Sequence, residues 1–173
     1  MSETAYKFTR AGARSPFTGF AWPRGEWVEA EGDVALCANG IHACRREALP
    51  RWLDDELWSV ELENVQEEHD GIVVARRARL LDQIEAWNAD SSRELARSCA
   101  ARARQLADEH PDPLIRKMAD DIGGIAEGPD PSATALSMYC TAHAADVAVA
   151  GGYAAERQRQ ADWLRDRLQL DLP

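Results

Sequence analysis

The chain has 173 residues and a mass of 19.2 kDa, which fits one domain or two very small ones with a real hydrophobic core. A hydrophobic content of 45% indicates an ordinary globular protein rather than a disordered one. The formal net charge of −10 argues against nucleic acid and against an anionic membrane surface as partners, because their phosphates would be repelled.

Targeting signals and cysteine content bear on where the protein resides. The sequence shows no basic and apolar leader, and no apolar run approaches the length that spans a bilayer. Four cysteines are too few for a disulfide scaffold in a chain of this length. We therefore expect a cytoplasmic protein whose cysteines are reduced.

The first half of the chain has short strand-like runs that Gly and Pro separate. Six strands are predicted, at residues 6–10, 26–30, 34–38, 41–44, 57–62 and 72–80. A short helix from about 46 to 53 interrupts them, and Pro50 limits its length. In residues 57–62, Trp58, Val60 and Leu62 lie on one side and Leu57, Ser59 and Glu61 on the other, which is typical of an antiparallel strand with one wet face.

The second half is alanine-rich and has clear helix start signals. Ser91 and Glu94 have the spacing of a capping box, and Asp112 and Asp130 each precede a proline at the first helical position. Four helices are predicted, at about 91–109, 113–122, 131–149 and 153–168. Strands followed by helices predict an α+β fold, in which an N-terminal antiparallel sheet of about five or six short strands carries a C-terminal layer of about four helices. The expected units are 1–88 and 89–173, packed together as one domain.

Asn39 and Gly40 form the strongest hairpin signal in the sequence. A two-residue turn there would place Cys37, His42 and Cys44 on one face. Three uses of this face remain open: a zinc site that lacks a fourth ligand, a Cys37 thiol activated by His42, or a buried core with no chemistry. Buried core is the most common role of such residues.

Cys140 and His143 are a second candidate metal pair. Their spacing of three residues places both on one helical face, where most such residues are core. Together with the hairpin they would complete a four-ligand site. Zinc is accordingly the one cofactor that the sequence suggests, and otherwise no cofactor is expected.

Glu61 and Glu63 lie on one face of a predicted strand, and Arg10 is the last residue of the first predicted strand. This combination resembles the arginine and Glu-x-Glu parts of ADP-ribosyltransferases, although the Ser-Thr-Ser element of that superfamily is absent. The resemblance implies a transfer site in which a glutamate stabilises an oxocarbenium ion. Alternating glutamates are also common on a wet strand face.

Aromatic residues concentrate in and after the loop at 12–23, notably Trp22 and Trp27. They would either line a pocket for a small molecule, together with Arg10, or close the end of the sheet. The leading hypothesis is a non-catalytic binding or accessory module that uses this aromatic-lined surface. The alternative is a small enzyme that uses Cys37 with His42, or Glu61 with Glu63.

The first half also resembles an uncharacterised domain family of phage and bacterial proteins. The likeness rests on the box from Cys37 to Cys44, written C-x-x-G-[aromatic or aliphatic]-H-x-C, on the Tyr6-Lys7 strand, and on a leucine-rich segment followed by a strand that ends at Glu63. It covers about residues 5–80. It implies a common fold and assigns no role to any residue.

Expected partners are a small molecule or another protein. A homodimer is a further possibility, because Trp163, Leu164 and Leu168 give the last helix an apolar edge.

Overall fold

The structure, a computed structural model, describes residues 2–36, 38–128 and 130–171, without the side chain of Glu67. It confirms the α+β fold, with an antiparallel sheet followed by four helices. The strands are β1 (Ser2–Thr9), β2 (Val28–Glu29), β3 (Ile41–Cys44), β4 (Glu56–His69) and β5 (Ile72–Gln83). A 3-10 helix at Arg46–Arg51 precedes β4, and the α-helices are α1 (Ala89–Glu109), α2 (Pro113–Ile125), α3 (Pro131–Ala148) and α4 (Gly152–Leu168).

Four of the five strands close into a small barrel. β4 pairs with β1 on one side and with β5 on the other, and β3 pairs with both β5 and β1. The two-residue strand β2 pairs only with β5. The strict alternation of β4 explains the barrel core, because Trp58, Val60 and Leu62 lie on the inner face. The other inner residues are Ala5, Ala13, Trp22, Ile41, Ala43, Val73, Ala75, Ala78 and Leu80.

The outer face of the barrel shares a core with the helices. This cluster joins Tyr6, Phe8 and Leu57 of the strands to Leu95 of α1 and Met138 of α3. The α4 residues Leu164 and Leu168 are fully or almost fully buried in the same cluster. The apolar edge of the last helix is thus covered by this chain itself and does not offer the dimer surface that the sequence suggested.

The hairpin prediction around Asn39 and Gly40 is wrong. Among its described residues, segment 34–38 forms no strand of the sheet, and Ala35 makes only an isolated bridge to Asn39. β3 instead pairs with β5 and β1, and the sheet of the described residues has five strands, within the five or six expected. Local alternation marks β3 correctly, but it does not specify which strand a segment pairs with.

Helix starts at aspartate-proline pairs are confirmed, whereas the N-cap of α1 is three residues earlier than predicted. Asp112 and Asp130 accept hydrogen bonds from the first turns of α2 and α3. The capping box of α1 uses Asn88, whose Oδ1 accepts from the backbone of Ser91, while Ser91 Oγ accepts from the Asn88 N–H. Asn88 is as good an N-cap as serine, so the signal was present one turn upstream.

Candidate functional site

His42 and Cys44 occupy β3 in surroundings that disfavour reactivity. The Cys44 thiol is buried in the core, 3.5 Å from the carbonyl oxygen of Tyr6, and burial raises its pKa to about 12. Burial also lowers the pKa of His42. The hydrogen bond to the Gly40 carbonyl would raise this pKa, but burial outweighs it, and the charge of Lys7 lowers the pKa further. A thiol that stays protonated is a poor nucleophile and a poor metal ligand. Cys37 lies outside the described residues, so its pairing with His42 remains a prediction.

The second metal pair does not converge. Cys140 packs against the cluster formed by α1, α2 and α3. The His143 ring instead lies between Tyr139 and Tyr153, with centroid distances of 4.4 and 4.9 Å. Within the described part of the chain, no group of three or more His, Cys, Asp or Glu residues could hold a metal ion. A zinc ion therefore remains a prediction from the sequence.

The two glutamates of the transferase hypothesis are each paired with an arginine on the neighbouring strand. Glu61 accepts from Arg79 at 2.7 Å, and Glu63 accepts from Arg77 at 2.8 Å. The hydrogen bond from Arg79 lowers the pKa of Glu61. Both carboxylates thus lie in a ladder of ion pairs on the outer face of β4 and β5.

Arg10 is not part of that ladder. β1 runs antiparallel to β4, with Thr4 opposite Glu61 and Thr9 opposite Glu56. Arg10 follows Thr9 and therefore lies beyond the start of β4, whereas Glu61 and Glu63 lie near its middle. The structure does not bring the three residues of the transferase hypothesis together.

Trp27 stacks on the ion-pair ladder. Its ring lies 4.4 Å from the guanidinium of Arg77 and 4.9 Å from that of Arg79, a cation–π arrangement. Because Trp27 directly precedes β2, this stack fixes β2 against the barrel. Trp27 is thus engaged with this chain's own side chains.

Trp22 closes one end of the barrel. It is buried, its indole N–H donates to Ser15 Oγ at 2.8 Å, and the Lys7 ammonium lies 5.3 Å from its ring centroid. That ammonium donates to the His42 carbonyl at 2.6 Å, and burial lowers the pKa of Lys7 to about 8. Trp22 therefore lies at the end of the barrel, whereas Trp27 lies on its outer face.

A carboxylate that the sequence analysis overlooked holds the segment before Trp22. Glu56 accepts hydrogen bonds from the backbone N–H groups of Gly12 and Ala13, both at 2.9 Å, and from the Trp58 indole at 3.1 Å. Burial alone would raise the pKa of Glu56, but these donors and the Thr9 hydroxyl outweigh it and lower the pKa. We call this arrangement the Glu56 clamp. No pattern in the sequence distinguishes Glu56 from the acidic residues that precede it.

The clamp fixes a loop whose tip is aromatic. In this aromatic loop (residues 14–22), the Ser15 N–H donates to the Phe20 carbonyl, and the Gly19 N–H donates to the Ser15 carbonyl. Phe17 is nevertheless 86% exposed and Phe20 is 45% exposed. Phe17 makes an edge contact with Trp52, at a centroid distance of 6.4 Å. The loop therefore exposes two phenylalanine side chains on a backbone held by its own hydrogen bonds.

Barrel and helices together define a small α+β protein, and sequence comparison places its barrel in a family. Residues 3–89 match the domain of unknown function DUF7666, and this match covers half of the chain. The chain belongs to that family, which confirms the expectation of an uncharacterised domain family over the first half. The match ends where α1 begins, so it comprises the barrel and the aromatic loop. No curated protein and no solved structure matches the chain.

None of the helices in the described ranges combines the length and the apolar character needed to cross a bilayer.

Proposed function

We propose that this protein is a binding module that recognises another protein through its aromatic loop. The observation that carries the proposal is the exposure of Phe17 at the tip of a loop held by hydrogen bonds at its base. Exposing a phenylalanine costs free energy, and a fixed backbone lowers the entropy lost when a partner covers it.

The shape of the loop supports a protein as the partner rather than a small molecule. Small molecules are bound in concave pockets that bury most of their surface. Phe17 projects from the surface and buries little of its ring in its own chain. Projecting aromatic side chains that fill a pocket on the partner are the usual anchors of protein interfaces.

The charge around the loop indicates which protein surface would fit. Residues 10–25 contain Arg10, Arg14 and Arg24, and the carboxylates at the base of the loop, Asp55 and Glu56, accept backbone N–H groups of residues 11–13. Arg14 donates to the Gly19 carbonyl, so its guanidinium lies beside the loop tip. An apolar cleft with an acidic rim would complement this segment, and the charges would mainly accelerate association and fix its orientation.

Site-specific photocrosslinking tests the proposal. A benzophenone amino acid replaces Phe17 in one variant and Leu114, an apolar residue of α2 that is 53% exposed, in the control. In cells that normally express the protein, we expect a discrete crosslinked product from position 17 that is absent from position 114. A further Phe20→Ser change should abolish that product. Identical products from both positions, or no product from position 17, would contradict the proposal.

The described geometry bears on only one of the two enzyme hypotheses. Glu61 and Glu63 are paired with arginines, and Arg10 lies away from both glutamates. The pair of Cys37 with His42 stays a prediction, because Cys37 lies outside the described residues. The binding role is supported by the exposed Phe17 side chain on a loop whose base is held by hydrogen bonds.

A further inference from the structure

The indole N–H of Trp52 is buried without a hydrogen-bond acceptor among the described residues. Three other tryptophans donate their indole N–H groups within this chain: Trp22 to Ser15 Oγ at 2.8 Å, Trp58 to Glu56 at 3.1 Å and Trp87 to the Asp54 carbonyl at 2.8 Å. A buried donor without an acceptor has lost its hydrogen bonds to water and regained none, which destabilises the fold. Such a group therefore requires an explanation.

One other buried side-chain atom of the described residues lacks a partner, the hydroxyl oxygen of Ser137 in α3. A serine hydroxyl both donates and accepts, and in a helix it can rotate toward a carbonyl of the preceding turn. An indole N–H only donates, and the ring fixes its direction. The helix can therefore satisfy Ser137, whereas Trp52 depends on an acceptor from outside its own segment.

Trp52 lies between the core and the aromatic loop. Its side chain is partly buried against the cluster that the barrel shares with the helices, and its ring makes the edge contact with Phe17 at 6.4 Å. The core cannot move away from Trp52 without unfolding. Phe17, at the tip of the loop and 86% exposed, is the neighbour that can move and give a partner access to the indole.

The buried state of the indole makes a hydrogen bond to a partner more favourable. An exposed donor must release water before it bonds to a partner, and this loss offsets most of the gain. The Trp52 N–H has already lost its water in the free protein. An acceptor that reaches it therefore adds to affinity without a further desolvation cost on this side of the interface.

The charges near Trp52 in sequence favour a neutral acceptor. Asp54 and Asp55 follow it closely, and burial and the Asp55 charge raise the pKa of Asp54. A partner carboxylate would lose its own hydration here and would be repelled by the two aspartates. A backbone carbonyl oxygen avoids both costs, and every protein segment offers one.

We propose that the partner of the aromatic loop donates no charge to Trp52 but supplies a backbone carbonyl oxygen that accepts the Trp52 indole N–H when Phe17 moves into the partner's cleft. This inference rests on the proposed binding role of the loop. Phe17 contributes apolar area to the interface, and Trp52 contributes a directed hydrogen bond that only a correctly placed carbonyl can accept.

Hydrogen exchange of the indole N–H groups, followed by NMR, tests whether Phe17 controls access to Trp52. Phe17→Ser should accelerate exchange at Trp52 by about tenfold or more, because water then reaches the N–H through local opening. Exchange at Trp87, whose N–H donates to the Asp54 carbonyl, is the control and should not change. Equal exchange rates at Trp52 in the wild type and in Phe17→Ser overturn the proposal.

An isosteric tryptophan analogue tests the hydrogen bond itself. Benzothienylalanine, in which sulfur replaces the indole N–H, is incorporated at position 52 in one chain and at position 87 in the control. At position 52 the analogue should raise the urea midpoint of unfolding, because it removes an unpaired buried donor, whereas at position 87 it should lower the midpoint. A lower midpoint at position 52 overturns the proposal.

Both chains then compete, without label, against the photocrosslink from position 17. The position-52 chain should need about fivefold more protein than the wild type to suppress the crosslinked product, the effect of one lost hydrogen bond, and the position-87 chain should match the wild type. A fivefold factor that added salt abolishes would indicate a carboxylate and overturn the assigned carbonyl. A position-52 chain that competes as well as the wild type overturns this inference alone, whereas absence of any product from position 17 contradicts the binding role as well.

Discussion

The start and the middle of β4 use the same residue type for different purposes. Glu61 and Glu63 face outward and are satisfied by arginines on β5, in a ladder that solvent reaches. Glu56, at the start of the strand, accepts backbone N–H groups from a segment more than 40 residues earlier in the chain. The outward ion pairs add little to the stability of the fold, whereas the Glu56 clamp fixes the base of the aromatic loop. The candidate functional site is therefore the barrel end that presents Phe17 and not the pair of Glu61 and Glu63.

The largest expected effect is on the clamp. Glu56→Gln replaces one acceptor oxygen by an NH₂ group that faces the donors of Ala13 and Trp58. We expect the free energy of unfolding to fall by about 3 kcal/mol, because hydrogen bonds to a charged group are lost and backbone donors are left unsatisfied. Urea unfolding measures the change.

Asp55→Asn is the matched control, since Asp55 is exposed and accepts a single backbone hydrogen bond, from Ala11. It should cost less than about 1 kcal/mol. Equal effects of the two changes would mean that the clamp does not organise the loop.

A second, smaller effect concerns Lys7 beneath Trp22. Burial lowers its pKa from 10.5 to about 8 in the folded protein. Between these two pH values the unfolded chain binds more protons, so the free energy of unfolding rises with pH. Relative to Lys7→Met, the wild-type protein should gain about 2 kcal/mol from pH 8 to pH 10.5.

Paired urea titrations of the wild type and of Lys7→Met across this range measure the gain. If the free energies of unfolding of the two proteins differ by the same amount at every pH, the Lys7 ammonium is solvated as well as the arginines of the outer face, which would contradict this prediction.

The smallest effect is expected on the outer face. Glu61→Gln breaks one exposed ion pair with Arg79, and exposed pairs contribute about 0.2–1 kcal/mol. We expect a loss of about 0.5 kcal/mol that 0.5 M salt largely removes. Glu63→Gln, which breaks the equivalent pair with Arg77, serves as the companion variant. A loss comparable to that of Glu56→Gln would contradict the contrast between the start and the middle of β4.

Sequence patterns predicted the features that local chemistry determines. Alternation identified the inner residues of β4, and the aspartate-proline pairs located the starts of α2 and α3. The partner of β3 was missed because pairing is decided by the whole barrel rather than by Asn39 and Gly40. The Glu56 clamp was missed because it depends on the positive φ angles of Gly12 and Ala13, of 77° and 54°, and on their approach to β4.

The exposure of Phe17 illustrates the same limit. Composition indicates that an aromatic residue in a loop either lines a pocket or closes a core, and both were considered for this segment. Only the fold shows that Trp22 is inside the barrel end while Phe17 is outside it. The path of the loop backbone, and not the residue type, determines which aromatic side chains of the loop are exposed and which are buried.

A competition experiment tests the binding role of the aromatic loop most directly. The chain with a benzophenone amino acid at position 17 is photocrosslinked in the presence of a tenfold excess of unlabelled protein. Wild-type competitor should reduce the crosslinked product by about 90%, the reduction that simple competition at equal affinity gives. Phe17→Ser competitor, which remains folded because its side chain is exposed, should not reduce it. Equal suppression by both competitors would contradict recognition through Phe17.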